Sequence, residues 1–319
     1  MNARGRQLGA LGFCAFTVPA VLLLPSVGWL WAGIASFLAA VLLGLLLYLN
    51  RNRALPLAQA VAGSPLGKAL LLLALLWNFF ALGAAAKQLG AIFPTAEQTP
   101  LIGLLLLLLA SYAAQKNRVL PVSAICFFFL LGLYGLLYGF SLPDLQKEYL
   151  KPVQSPTRTA LTSALAPISL IYLCRGEKGK PVFWLLGGVV LALLAALITA
   201  GSLSPPVVST LEFPFYEAAK SITLLGAIQR LEPLVSAGLC AGGFCLLSLL
   251  CAVTGELMSA LCPKTEKLSG MVNFFLGGSC FWLSGLLSGK TVALGTTIFW
   301  GLLPFLLQLL GKQKNIKKI

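Results

Sequence analysis

Thr17 lies two residues ahead of Pro19, and Ser163 lies four residues ahead of Pro167. Each proline sits deep inside an apolar run, within 13–19 and 164–168. A proline in such a place withholds one backbone N–H and frees a carbonyl, and lipid supplies a partner for neither. Freed backbone groups beside a hydroxyl can recognise a solute by hydrogen bonds alone, without making or breaking a covalent bond. The residues best placed for this are Ala15, Phe16, Thr17 and Val18 before the first proline and Ser163, Ala164, Leu165 and Ala166 before the second. Their small members let backbone come close to a ligand. A second reading stands beside this one: the hydroxyls satisfy carbonyls of their own helices, and the prolines only kink two packed helices.

Two more places carry polar chemistry in apolar surroundings. Trp77 and Asn78 fall in the middle of a third apolar run, where an amide must face protein or a cavity rather than lipid. Asn78 therefore touches either a ligand or a neighbouring helix. Lys87 and Glu256 are the ionisable residues that lie within apolar runs, each near an end, so snorkelling toward water is the expected behaviour of both.

Catalysis has little to work with. The chain contains no histidine, which removes the usual general base and the commonest metal ligand. Its eight cysteines form no C-x-x-C pair and read as packing thiols. Gly-rich stretches such as Ala241-Gly242-Gly243 and Leu276-Gly277-Gly278 lack a phosphate-loop lysine and suit close helix packing. An enzyme is not expected, nor a metal or other cofactor.

The elements that must position these residues are membrane spans. Hydrophobic residues make up 58% of the 319 positions and charged residues 10%, too few for a water-facing globular surface. Apolar runs of roughly 20 residues, the length needed to cross a bilayer, fall near 8–25, 27–49, 67–92, 99–115, 119–141, 158–175, 181–203, 234–258, 268–287 and 290–311. The net charge of +14 does not point to nucleic acid, because the bases gather in short segments between these runs. Arg4 and Arg6, Arg51 and Arg53, Lys116 and Arg118, Arg175 to Lys180, Lys264 and Lys267, and the C-terminal lysines alternate with segments where acids balance bases. By the positive-inside rule both termini are then cytoplasmic.

The proline-bearing runs are the first and the sixth. The expected architecture is all-α, a single polytopic domain over 1–319, with one five-span unit in 1–141 and another in 158–311. An odd number of crossings per unit inserts the second unit upside down, as in secondary transporters built from inverted repeats. The outer connection 204–233 is the longest loop, and 215–232 can form a helix on the surface or over a cavity.

Several stretches resemble one family. Phe213-Pro214-Phe215, Lys220-Ser221-Ile222 and Ile228-Gln229-Arg230-Leu231-Glu232 are similar to the outer segment of spore germination permeases, with Pro214, Arg230 and Glu232 as its marked residues. Phe93-Pro94 with Thr99-Pro100 resembles the turn before the fourth span of that family. Tyr112-Ala113 through Arg118, and then Leu150-Lys151-Pro152-Val153, resemble its fourth-to-fifth-span region and the loop that follows. The chain departs from the family in carrying Gln229 where glutamate is usual, and in its shorter loops. The resemblance implies the amino acid–polyamine–cation superfamily and its ten-span, inverted-repeat fold, with the third span lining the pocket. It also implies a permease-like subunit of a germinant receptor in the plasma membrane or spore inner membrane. Its partners would be a small-molecule germinant, an amino acid above all, together with a larger membrane subunit and a lipoprotein. A stand-alone amino acid transporter of the same fold is the alternative.

Overall fold

The computed structural model describes residues 3–51, 55–92, 99–141, 145–150, 158–175, 180–211, 213–220 and 232–316. Among these residues there are helices and turns and no strand. Inside a bilayer this is the expected outcome, because a helix satisfies its own backbone. The longer helices are apolar all round rather than striped, so burial is decided by neighbours and not by an amphipathic face.

Each expected span falls on helical chain. Helix α1 (Ala3–Val18) continues through Pro19–Leu23 and Leu24–Val27 as span one; α2 (Trp29–Asn50) is span two. A short helix α3 (Leu57–Val61), not expected from the sequence, precedes α4 (Pro65–Ala91), α5 (Thr99–Gln115) and α6 (Val119–Ser141). Span six is α7 (Arg158–Ser163) followed by Ala166–Tyr172; α8 (Lys180–Ser202) is span seven. After α9 (Pro205–Thr210) and α10 (Pro214–Lys220) come α11 (Glu232–Leu261) and α12 (Ser269–Leu283) as spans eight and nine. Span ten is α13 (Gly289–Thr296), Thr297–Leu302 and α14 (Leu303–Ile316). Seven of these segments are long and apolar enough to cross a bilayer unaided, while Pro100–Gln115 and Leu161–Tyr172 are shorter apolar helices.

Span one is the centre of the bundle. Within its most apolar stretch 89% of residues are buried by protein, against 33% for α6 at the periphery. It packs against α6, α8 and α11, while α4 packs against α5, α11 and α12. The contacts repeat between the halves of the chain: α2 meets α8, α4 meets α11, and α5 meets α12, while the pair α4–α12 is answered by α11–α5.

Spans one, six and ten change pitch beside a proline. Pro19 has no N–H for the carbonyl four residues back, so the turn widens into a π-helix over Pro19–Leu23, closed by Leu24 N–H donating to Pro19 O. Pro25 then starts a 3₁₀ turn, and Gly28, at φ 81°, reverses the chain into α2 with a dihedral that other residues rarely adopt. In span six the α-helix ends at Ser163, and Ile168 N–H donates to Leu165 O at 2.9 Å within a tighter 3₁₀ segment (Ala166–Tyr172) containing Pro167. In span ten Pro304 withholds its N–H, and the preceding Thr297–Leu302 becomes a π-helix. Spans one and six are thus changed in winding rather than opened into extended chain, and in span one the change begins at Pro19 instead of before it.

Part of the long loop after span seven lies within the described residues. Helix α10 starts at Pro214, and Phe215 and Ala218 on it are fully buried rather than laid on a surface. Tyr216 Oη lies 3.1 Å from Ser236 Oγ on α11, and α10 packs on the last turns of span one. Residues 221–231, which hold Arg230, together with Phe93-Pro94 and Lys151-Pro152-Val153, lie outside the described residues; Glu232 opens α11.

Candidate ligand-binding cavity

Helix α7 packs on the π and 3₁₀ turns of span one, so the two proline-bearing spans meet. Beside their junction is a cavity of about 530 Å³, within the range of small-molecule sites. Its wall takes Val18, Pro19, Leu23 and Ser26 from span one and Thr162, Ser163 and Ala166 from span six. One face of α4 supplies Trp77, Phe80, Ala81, Ala84, Ala85, Lys87, Gln88 and Ala91. Leu246 and Leu250 of α11, Ser284 after α12, and Val292, Thr296 and Trp300 of span ten close it. These are the last turns of spans one, three and nine and the first turns of six and ten. The cavity therefore runs from mid-bundle toward the face opposite the N-terminus.

Of the residues expected to touch a ligand, the structure brings Val18, Pro19, Trp77, Ser163 and Ala166 to this wall. The others are placed elsewhere, each for a local reason. Thr17 is fully buried, donates to Cys14 O at 2.6 Å and fills the space that Gly242 leaves on α11. Phe16 is fully buried against Gly188 of α8. Ala15, Ala164 and Pro167 are buried in packing, and Leu165 is half-buried away from the wall. Asn78 joins helices: its Nδ2 donates to Leu250 O and to Thr254 Oγ1, both at 2.8 Å.

The floor is aromatic. Trp77 stacks on Phe299 with ring centroids 5.4 Å apart and rests on Gly295, whose missing side chain admits the indole. Its Nε1 is buried and has no hydrogen-bond partner among the described residues. The hydroxyls of Ser26, Ser284 and Thr296 instead donate to carbonyls of their own helices, at 2.6, 2.8 and 2.9 Å.

Spacing along α4 was the signal that sequence reasoning passed over. Residues 77, 80, 81, 84, 85, 88 and 91 recur at helical spacing and are aromatic, small or polar in an otherwise leucine-rich helix. Lys87 belongs to that face. It is exposed and lines the cavity near its open end, with its tip beside Gly285 in the turn after α12.

Glu256 departs from simple snorkelling. At the other end of the bundle it accepts from Gln59 Nε2 of α3 at 2.7 Å and lies 4.0 Å from Arg175 Nη2 after span six. Nearby, Arg4 Nη2 donates to Leu173 O at 3.3 Å and Asn50 Nδ2 to Cys174 O at 3.4 Å. The tail of span six is thus held from α1, α2, α3 and α11, on the face away from the cavity. Removing Glu256 with alanine is expected to cost about 1.5–3 kcal/mol, the worth of a hydrogen bond to a charged group. Glu256→Gln, which keeps an acceptor, should cost less. Apparent melting temperatures of the purified protein in detergent check both.

No family model matches the chain, and no curated protein matches it. Among solved structures it is similar to Mhp1, a nucleobase-cation-symport-1 family transporter, in a closed conformation with bromovinylhydantoin bound. The TM-score is 0.54 at 14% identity, over 96% of this chain and 74% of that one. At that identity the likeness is one of fold. The chain is an all-helical integral membrane protein with a transporter-like architecture.

Proposed function

We propose that this protein is a permease-like subunit of a spore germinant receptor, binding a small nutrient in the cavity between spans one, three, six and ten. The observation that carries the ligand-binding part is the meeting of the two proline-bearing spans: Val18 and Pro19 on one side and Ser163 and Ala166 on the other line the same space. Trp77 forms the floor, and Pro214, Arg230 and Glu232 carry the resemblance to the germination family. In this reading 1–141 and 158–311 are inverted repeats, which agrees with contacts that repeat between the halves. Both termini are cytoplasmic, the cavity opens outward, and the clamp on Glu256 is the closed inner side. The membrane is the plasma membrane or the spore inner membrane.

A nutrient that binds one arrangement of spans one and six more tightly shifts their equilibrium, and no other coupling to partners is required. Those partners are a larger membrane subunit and a lipoprotein. Deleting the gene in its host should abolish germination in response to at least one nutrient while leaving other triggers active. Unchanged germination on every nutrient, in a strain lacking other receptors, rejects the role.

A free-standing amino acid transporter is the second reading, and it is favoured by the likeness to a cation symporter. Ion-driven uptake by the purified protein alone in liposomes would select it over the receptor subunit.

A further inference from the structure

Hydrogen-bond donors and acceptors are unequally supplied to the cavity wall. The hydroxyls of Ser26, Ser284 and Thr296 spend their protons on carbonyls of their own helices, leaving lone pairs to the cavity. Two wall residues hold donors without a partner among the described residues, the Lys87 ammonium and the Gln88 amide, while the Trp77 indole N–H is likewise unpartnered but buried. All three stand on α4. Lys87 is the charged residue of the described wall, and no acid faces it there.

The ammonium has a close neighbour across the cavity mouth, Gly285. The lysine tip lies against Gly285, where a methyl group would come within 2.5 Å of Nζ. Gly285 lies in the 3₁₀ turn Ser284–Leu286 that ends α12, and the C-terminal end of a helix favours a positive charge. Below, the wall is aromatic and aliphatic: Phe80, Trp300, Leu23 and Val292. The helical rise separates Lys87 from Trp77 by about 15 Å along α4.

We infer that the cavity takes a carboxylate-bearing solute, its carboxylate paired with Lys87 beside Gln88 and its apolar body directed toward Trp77. The inference rests on the cavity being a ligand site, as proposed above. A charged pair and its hydrogen bonds inside a partly enclosed cavity discriminate strongly against a neutral isostere.

The test uses three probes of one shape on the purified full-length protein: 4-phenylbutyrate, 4-phenylbutyramide and 4-phenylbutylamine. Tryptophan fluorescence reports binding, since Trp77 and Trp300 line the cavity. The acid should bind at least about tenfold tighter than the amide, and the amine weakest. Lys87→Gln should bring acid and amide to equal affinity. Lys87→Arg should keep the preference, which guards against a folding defect in the first variant. Equal binding of acid and amide to the unaltered protein, or a preference that survives Lys87→Gln, overturns the inference and leaves the ligand site standing. Failure of all three probes to bind at any concentration within solubility overturns both.

Discussion

Gly83→Val is expected to prevent the protein from accumulating in folded form. Gly83 sits where α4 crosses α12, and a Cβ there would fall against the backbone of Cys280 and 2.5 Å from Phe281 N. Those atoms are main chain, so no rotamer change relieves the clash. The helices must separate, and the contact they lose is among the most extensive of the bundle. Overpacking typically costs 1–3 kcal/mol. For a branched side chain against backbone, about 3 kcal/mol or more is expected. That is a large share of a stability of roughly 5–15 kcal/mol. Gly132 on α6 supplies the control, because a Cβ there meets nothing within 4 Å. Gly132→Ala should be neutral or stabilising by up to about 1 kcal/mol, as expected for an exposed helix interior. Size-exclusion profiles and apparent melting temperatures distinguish the two. Normal yield and melting of Gly83→Val would show that α4 and α12 do not cross as closely as described.

Ala84→Trp should produce the largest functional loss with the fold intact. Ala84 is half-buried on the cavity face of α4, between the aromatic floor at Trp77 and the cationic end at Lys87. Its side chain points toward open space, so an indole enters the cavity instead of a helix contact. A small-molecule site works by burying most of its ligand's surface. Placed mid-way along a cavity of about 530 Å³, the indole stands between its aromatic and its cationic end and blocks a ligand that spans both. Binding should fall by about a hundredfold or more, with a melting temperature close to that of the unaltered protein. Ala84→Ser should retain binding. Measured with the solute found by the germination or uptake assays, undiminished affinity in Ala84→Trp would place the ligand elsewhere.

Prolines and span boundaries were legible because their effects are local. An apolar run of bilayer length must be helical wherever lipid surrounds it, and α5 and α6 begin and end where the apolar runs 99–115 and 119–141 do. Pro19 and Pro167 mark disturbed winding by chemistry alone, since neither can donate a backbone hydrogen bond. The kind of disturbance was not legible. Whether a turn widens to π, as at Pro19–Leu23, or tightens to 3₁₀, as at Ala166–Tyr172, depends on what packs around it.

By itself the sequence determined an all-helical membrane protein with two proline-disturbed spans in corresponding places, and hence the neighbourhood of a cavity. Only the tertiary structure decided which polar side chains face it. Thr17, Asn78, Lys87 and Glu256 all avoid lipid, and a sequence registers that avoidance without saying what replaces the lipid. Thr17 was taken up by its own helix and Gly242, Asn78 by α11, and Glu256 by Gln59 and Arg175, each through partners distant along the chain or set by a helix crossing. Lys87 lines the cavity, with its tip beside Gly285 in the turn after α12. The physical reason is that a buried polar group needs a partner at about 3 Å, and which helix supplies it is fixed by packing in three dimensions.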